Sequence, residues 1–92
     1  MSAAAVIARG IVEVDPLIAR AEVKLIKRAD RLIILADSTK FTPKGNLLVC
    51  PLSRVSILIT DDGVSPEAVA LLEEQGVTVR IAPFEKSIAA AA

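Results

Sequence analysis

Between Leu32 and Ala36 the chain runs through five apolar residues without a break, and then changes at once to Asp37-Ser38-Thr39-Lys40. A run of this length reads as a strand, and a strand apolar on every residue needs cover on both faces. It therefore predicts a buried parallel strand in an α/β sheet with helices packed against it. Ligands of open α/β sheets sit beyond the carboxyl ends of the strands. The acid, two hydroxyls and ammonium at that end are accordingly the first candidates for a binding site.

Size limits what surrounds such a strand. Ninety-two residues make one small domain that buries somewhat under about two thirds of its unfolded surface, too little for a full doubly wound sheet. The formal charge is zero, so the chain has no broad cationic field with which to hold a phosphate backbone, and direct nucleic-acid binding by this chain is not expected. Cys50 lies between a Leu-Leu-Val run and a proline, which suits a small buried hydrophobe better than a reactive thiol. As the lone cysteine it permits no internal disulfide, in keeping with a reducing cytoplasm. The start, Met1 to Ala8, lacks the basic segment of an export signal, and no apolar stretch approaches the roughly 20 residues that span a bilayer. A cytoplasmic protein with no membrane contact is expected.

Along the chain, Ile11 to Val14 is a short strand or an extended lead-in. Asp15-Pro16 then starts a helix, with the carboxylate capping free amides and proline at the first helical position, where no amide bond is lost. The helix is expected to run from Pro16 to about Asp30 with Ile18, Ala21, Leu25 and Ala29 on one face. Glu22 projects within that apolar sector, between the directions of Ile18 and Ile26. A carboxylate there has to be paired, hydrogen-bonded, protonated or set at the wall of a pocket, unless the helix is rotated slightly or the side chain snorkels out.

After the loop of residues 39–46, Leu47 to Cys50 reads as a short strand, and Val55 to Ile59 as a second buried one that stops at Thr60-Asp61-Asp62-Gly63. Asp61-Asp62 reads as a loop pair, because an acidic pair without histidine or regular oxygen spacing is weak evidence for a metal. Neither a metal nor a cofactor is expected. Ser65-Pro66-Glu67 opens a second helix that reaches Glu74 or Gln75, Gly76 closes it in a left-handed conformation, and Val77 to Ala82 forms a third strand. Strand, helix, strand in this order predicts parallel pairing through a right-handed crossover. The fold class is thus α/β: a partial three-layer, mostly parallel sheet of about three to four strands with two principal helices. Residues 1–9 read as an alanine-rich lead, 10–82 as the folded part and 83–92 as an alanine-rich tail. Two helices do not cover both faces of strands this apolar, which predicts self-association or pairing with another chain.

The motif series Glu22-Val23-Lys24, Ala36-Asp37-Ser38-Thr39-Lys40-Phe41, Cys50-Pro51-Leu52-Ser53 and Ile59-Thr60-Asp61-Asp62-Gly63 resembles the carboxyl-terminal half of the sugar-phosphate-sensing domain of DeoR-type bacterial transcriptional regulators. The resemblance implies a fold like that of ribose-5-phosphate isomerase and a phosphorylated sugar as effector, held by Glu22, Asp37, Ser38, Thr39 and Lys40. Within it, Glu22 matches the position that resembles the isomerase's proton-shuttling glutamate, and Lys40 a lysine near its substrate. The family's winged helix-turn-helix and its glycine- and threonine-rich phosphate loop have no counterpart here.

Three functions follow as expectations. The first is effector binding without turnover, so no residue is assigned a catalytic role. The second is a small sugar-phosphate isomerase that uses Glu22 to move a proton and Lys40 to stabilise the enediolate. The third is an interaction protein that pairs with a full-length regulator.

Overall fold

The computed structural model describes residues 1–83, so the tail expected over 83–92 lies outside the described residues apart from Pro83. Six strands and two helices follow one another as β1 (Ala5–Ile7), β2 (Gly10–Glu13), α1 (Pro16–Arg28), β3 (Ile33–Leu35), β4 (Leu47–Cys50), β5 (Ile57–Asp61), α2 (Pro66–Glu74) and β6 (Thr78–Ala82). The α/β class holds. The single, mostly parallel sheet of three to four strands does not: the strands divide into two three-stranded sheets, antiparallel β1-β2-β4 and parallel β3-β5-β6.

The extra sheet comes from the alanine-rich start. Ala5, Val6 and Ile7 pair with Val12, Ile11 and Gly10 across a tight turn at Ala8-Arg9, and β2 pairs in turn with β4. Ala3, Ala5 and Val6 are buried, so the lead is part of the fold and not an appendage before it. Composition alone does not distinguish such buried alanines from a low-complexity segment. Gly10 makes the hairpin possible. Its φ is +141°, and a Cβ at that position would fall 2.1 Å from the Cys50 carbonyl oxygen.

The parallel sheet follows the expected pattern. β5, α2 and β6 form the crossover unit, with Leu58 opposite Val79 and Ile59 opposite Arg80. Ser65 Oγ accepts from the Ala68 amide at the start of α2, and Gly76 takes φ +84° just beyond its end. β3 lies on the other side of β5, and the chain's first residues extend the sheet past it. Met1 accepts from the Leu35 amide at 2.7 Å, and Ser2 forms a parallel bridge with Leu35.

Burial along β3 alternates, contrary to the expectation of cover on both faces. Leu32, Ile34 and Ala36 are buried, while Ile33 and Leu35 are exposed. The core face, with Leu58 and Leu72 near-fully buried, joins one continuous cluster that runs through both sheets. The opposite face has no layer over it among the described residues, although its apolar composition is that of a covered sheet.

α1 likewise lies rotated from the expected orientation. Its buried residues are Ala19, Glu22 and Ile26, whereas Leu17, Ile18 and Leu25 are exposed, so the face predicted from Ile18, Ala21 and Leu25 points outward. Arg54 helps to set this rotation. Its guanidinium donates to the carbonyl oxygens of Ile26 and Ala29, fixing the helix end against the turn after β4 with Ile26 inward. Asp15 caps the other end by accepting from the Leu17 amide at 2.9 Å, as its position before Pro16 predicts.

Candidate functional site

Four of the five sequence-predicted site residues form one turn at the carboxyl end of β3. Asp37 caps a single 3-10 turn over Ser38–Lys40: its Oδ1 accepts from the Thr39 amide at 2.8 Å and also from the Thr39 hydroxyl. The turn is tied to the neighbouring strand end by Asp61, whose Oδ2 accepts from the Ser38 amide at 2.9 Å and whose Oδ1 accepts from the Gly63 amide at 2.8 Å. A side chain at residue 63 would meet Ser38 Oγ at 2.7 Å, so glycine there allows the two strand ends to meet. Asp61 is therefore the clamp of the site. Asp61 is the last residue of β5, paired with Ala82, and not the loop residue expected, and spacing alone does not disclose its role as clamp.

Both acids are held below the usual carboxylate range. For Asp37 the causes are the Thr39 hydroxyl and then the Thr39 amide; for Asp61 they are chiefly donation from Ser38, followed by the Gly63 amide. Lys40 adds a favourable charge near Asp37, and Asp61 an unfavourable one. A hollow of about 300 Å³ opens at this edge, lined by Leu35, Ala36, Asp37, Ile59, Thr60, Asp61 and Ala82.

Thr60 is the residue that sequence reasoning passed over. It is 4% exposed, and its Oγ1 has no hydrogen-bond partner among the described residues. An unpaired buried hydroxyl costs roughly 1–3 kcal/mol. A signal for it exists in the sequence, since Thr60 is the first polar residue after the apolar run of β5 and strand alternation puts it on the same face as Leu58.

The fifth predicted residue, Glu22, lies elsewhere. It is buried in the middle of α1, at 8% exposed, and its Oε1 has no partner among the described residues. Burial is the largest influence raising its pKa above the ordinary value, followed by the neighbouring Glu13; the amino terminus opposes them. Burial and a neighbouring acid both favour the neutral carboxyl over the carboxylate. Cys50 is buried nearby, and burial pushes its thiol up, with Glu22 adding to the effect and Arg54 opposing it. The groups that act on Glu22 and those that act on Asp37 do not overlap. The chain thus holds a polar turn at a sheet edge and, separately, a buried carboxyl on the inner side of α1.

No helix among the described residues is long and apolar enough to cross a membrane. Nor, among these residues, does any group of three or more His, Cys, Asp or Glu side chains suit a metal ion.

Fold and site together define an α/β domain with a candidate ligand site at the carboxyl edge of a parallel sheet. Residues 1–62 match the family described as the DeoR C terminal sensor domain, and the chain belongs to that family. It is similar to the HTH-type transcriptional regulator UlaR of Shigella dysenteriae serotype 1 (strain Sd197), with 33% identity over 72 residues that cover 78% of this chain and 29% of that protein. UlaR proteins of Escherichia coli (strain K12 / DH10B) and Shigella boydii serotype 18 (strain CDC 3083-94 / BS512) give the same identity and coverage. The chain spans under a third of the length of these curated relatives. No solved structure matches it.

Proposed function

We propose that the chain is an effector-binding part of a DeoR-type regulator that takes a phosphorylated sugar at the Asp37–Lys40 turn and releases it unchanged. The observation that carries this reading is the placement of Asp37, Ser38, Thr39 and Lys40 in one clamped turn at the carboxyl edge of β3, inside the segment that matches a sensor family. Lys40 supplies a charge for the phosphate, while the carboxylate and hydroxyls suit sugar oxygens. Operator binding belongs, on this reading, to the DNA-binding module of an intact regulator.

A non-catalytic role is favoured by the distance in character between the two halves of the would-be isomerase pair. Glu22 is buried on the inner side of α1, whereas Lys40 lies on the exposed turn capped by Asp37. Proton shuttling between adjacent carbons needs a base within hydrogen-bond reach of the substrate that the cation holds. An aldose-to-ketose phosphate assay is expected to show no Glu22-dependent turnover.

We further infer that the parallel sheet is one layer of a three-layer, isomerase-like domain completed by other polypeptide. Exposed Ile33 and Leu35, with half-buried Ile57 and Ile59 beside them, support this pairing role, and the covering layer is either more of a regulator chain or a second copy. The test of effector binding is a thermal-shift screen of the chain against sugar phosphates. Stabilisation by at least one member, lost in Lys40→Met, is the expected result; a folded, monodisperse sample that responds to none would remove the reading.

A further inference from the structure

We propose that the outer face of α1 docks on the outer face of α2 of a second copy of this chain. An apolar stripe flanked by cations on one helix then meets a small-residue centre ringed by acids on the other. This contact is separate from the open face of the parallel sheet and does not depend on the effector reading.

α1 leaves an apolar stripe uncovered. Leu17 is 77% exposed and Leu25 61%, and at about 100° per residue these two share one sector with exposed Ile18 and Ala21. Exposed apolar residues scattered singly are ordinary, whereas a contiguous stripe marks an interaction surface. Arg20, Lys24, Lys27 and Arg28 are all exposed on the same helix, and its one acid, Glu22, is buried. Four cations on each side would set two such faces against each other, so a second α1 is the wrong occupant and an acidic face the right one.

α2 carries the complement. Its charged residues are Glu67, Glu73 and Glu74, all exposed, with no cation among them. By the same helical spacing, exposed Ala70 lies between Glu67 and Glu74 on one side and Glu73 on the other, and so small a residue leaves room for a leucine from outside. The charges match in spacing as well as in sign. Arg20 and Lys27 are seven residues apart, as are Glu67 and Glu74, which is about 10.5 Å along either helix. Laid antiparallel, the two helices bring Arg20 to Glu74 and Lys27 to Glu67, with their dipoles opposed. Each copy offers one face of each kind, so the contact is head-to-tail.

The experiment is sedimentation of the full chain over a concentration series, comparing wild type with two charge reversals, Arg20→Glu with Lys27→Glu, and Glu67→Lys with Glu74→Lys. Wild type is expected to rise above the 9.7 kDa of one chain, and each reversal alone to weaken that association about tenfold or more. An equimolar mixture of the two variants is expected to associate again, because the reversed α1 of one meets the reversed α2 of the other. Misfolding of either variant would not produce that recovery. A wild type that stays monomeric at every concentration overturns the proposal, as does a loss that mixing does not restore. Association that neither reversal weakens and Leu35→Glu abolishes also overturns it, and assigns the contact to the open sheet face instead.

Discussion

Glu22 holds its proton more tightly in the folded chain than in the unfolded one. Burial and Glu13 raise its pKa above the ordinary 4.5, so the native state binds more protons than the unfolded state as pH rises past that value. Its contribution to stability is therefore fullest below the ordinary value and is lost as pH rises through the raised one. Replacing it by an uncharged isostere removes that loss. Thermal melts of Glu22→Gln are expected to lie above wild type at pH 7, with the gap closing at pH 4; a melt below wild type at pH 7 would mean that the carboxylate is paired after all. Asp61 has the opposite sign. Its lowered pKa means that the Ser38 and Gly63 bonds add stability above the ordinary value of 3.8, which disappears as pH falls through the folded value. Asp61→Asn, with a single acceptor oxygen in place of two, is expected to melt lower than wild type at pH 7 and to converge with it in acid. The sequence already points to Glu22 as unusual by its place on an apolar sector, whereas Asp61 reads there as an ordinary loop acid. It does not disclose their partners, because Glu13 and Ser38 reach them through tertiary contacts and not through local spacing.

Helix α1 shows what pattern reading supplies at the level of an element and what it leaves open. Its existence, its Asp15 cap and its first-turn proline follow from local chemistry, and they are present as expected. Its rotation does not follow, since the helix has two apolar stripes and only packing chooses between them. The stripe with Ala19 and Ile26 goes inward, and the more apolar stripe with Leu17, Ile18 and Leu25 remains outside. Arg54 secures that choice through the Ile26 and Ala29 carbonyls, and Arg54→Ala is expected to cost about 2 kcal/mol in chemical denaturation. Leu25→Glu, on the outer stripe, is expected to change monomer stability by no more than about 0.5 kcal/mol. A large loss there would place Leu25 in the core and reverse the assigned rotation. The hairpin of β1 and β2 was illegible for a different reason. Its strands are short, its lead is alanine, and the feature that closes it, Gly10 against the Cys50 carbonyl, joins residues forty apart in the chain. Gly10→Ala is expected to destabilise by about 3 kcal/mol, through positive φ and overpacking together.

For the whole molecule, the long apolar run that most constrains the fold has one covered and one open face. Family membership gives that openness a context, because the matched relatives are more than three times as long as the stretch they share with this chain. On the proposed function, a sugar phosphate binds at the clamped turn where β3 and β5 end. A chain of 9.7 kDa is well suited to amide-resolved NMR titration, which tests that claim most directly. On addition of the sugar phosphate that stabilises the protein most, the largest shifts are expected at the amides of Ser38, Thr39, Lys40 and Gly63, with little change around Glu13, Glu22 and Cys50. Saturable shifts confined to α1 and the Cys50 region, with the Ser38–Lys40 turn unmoved, would contradict the account.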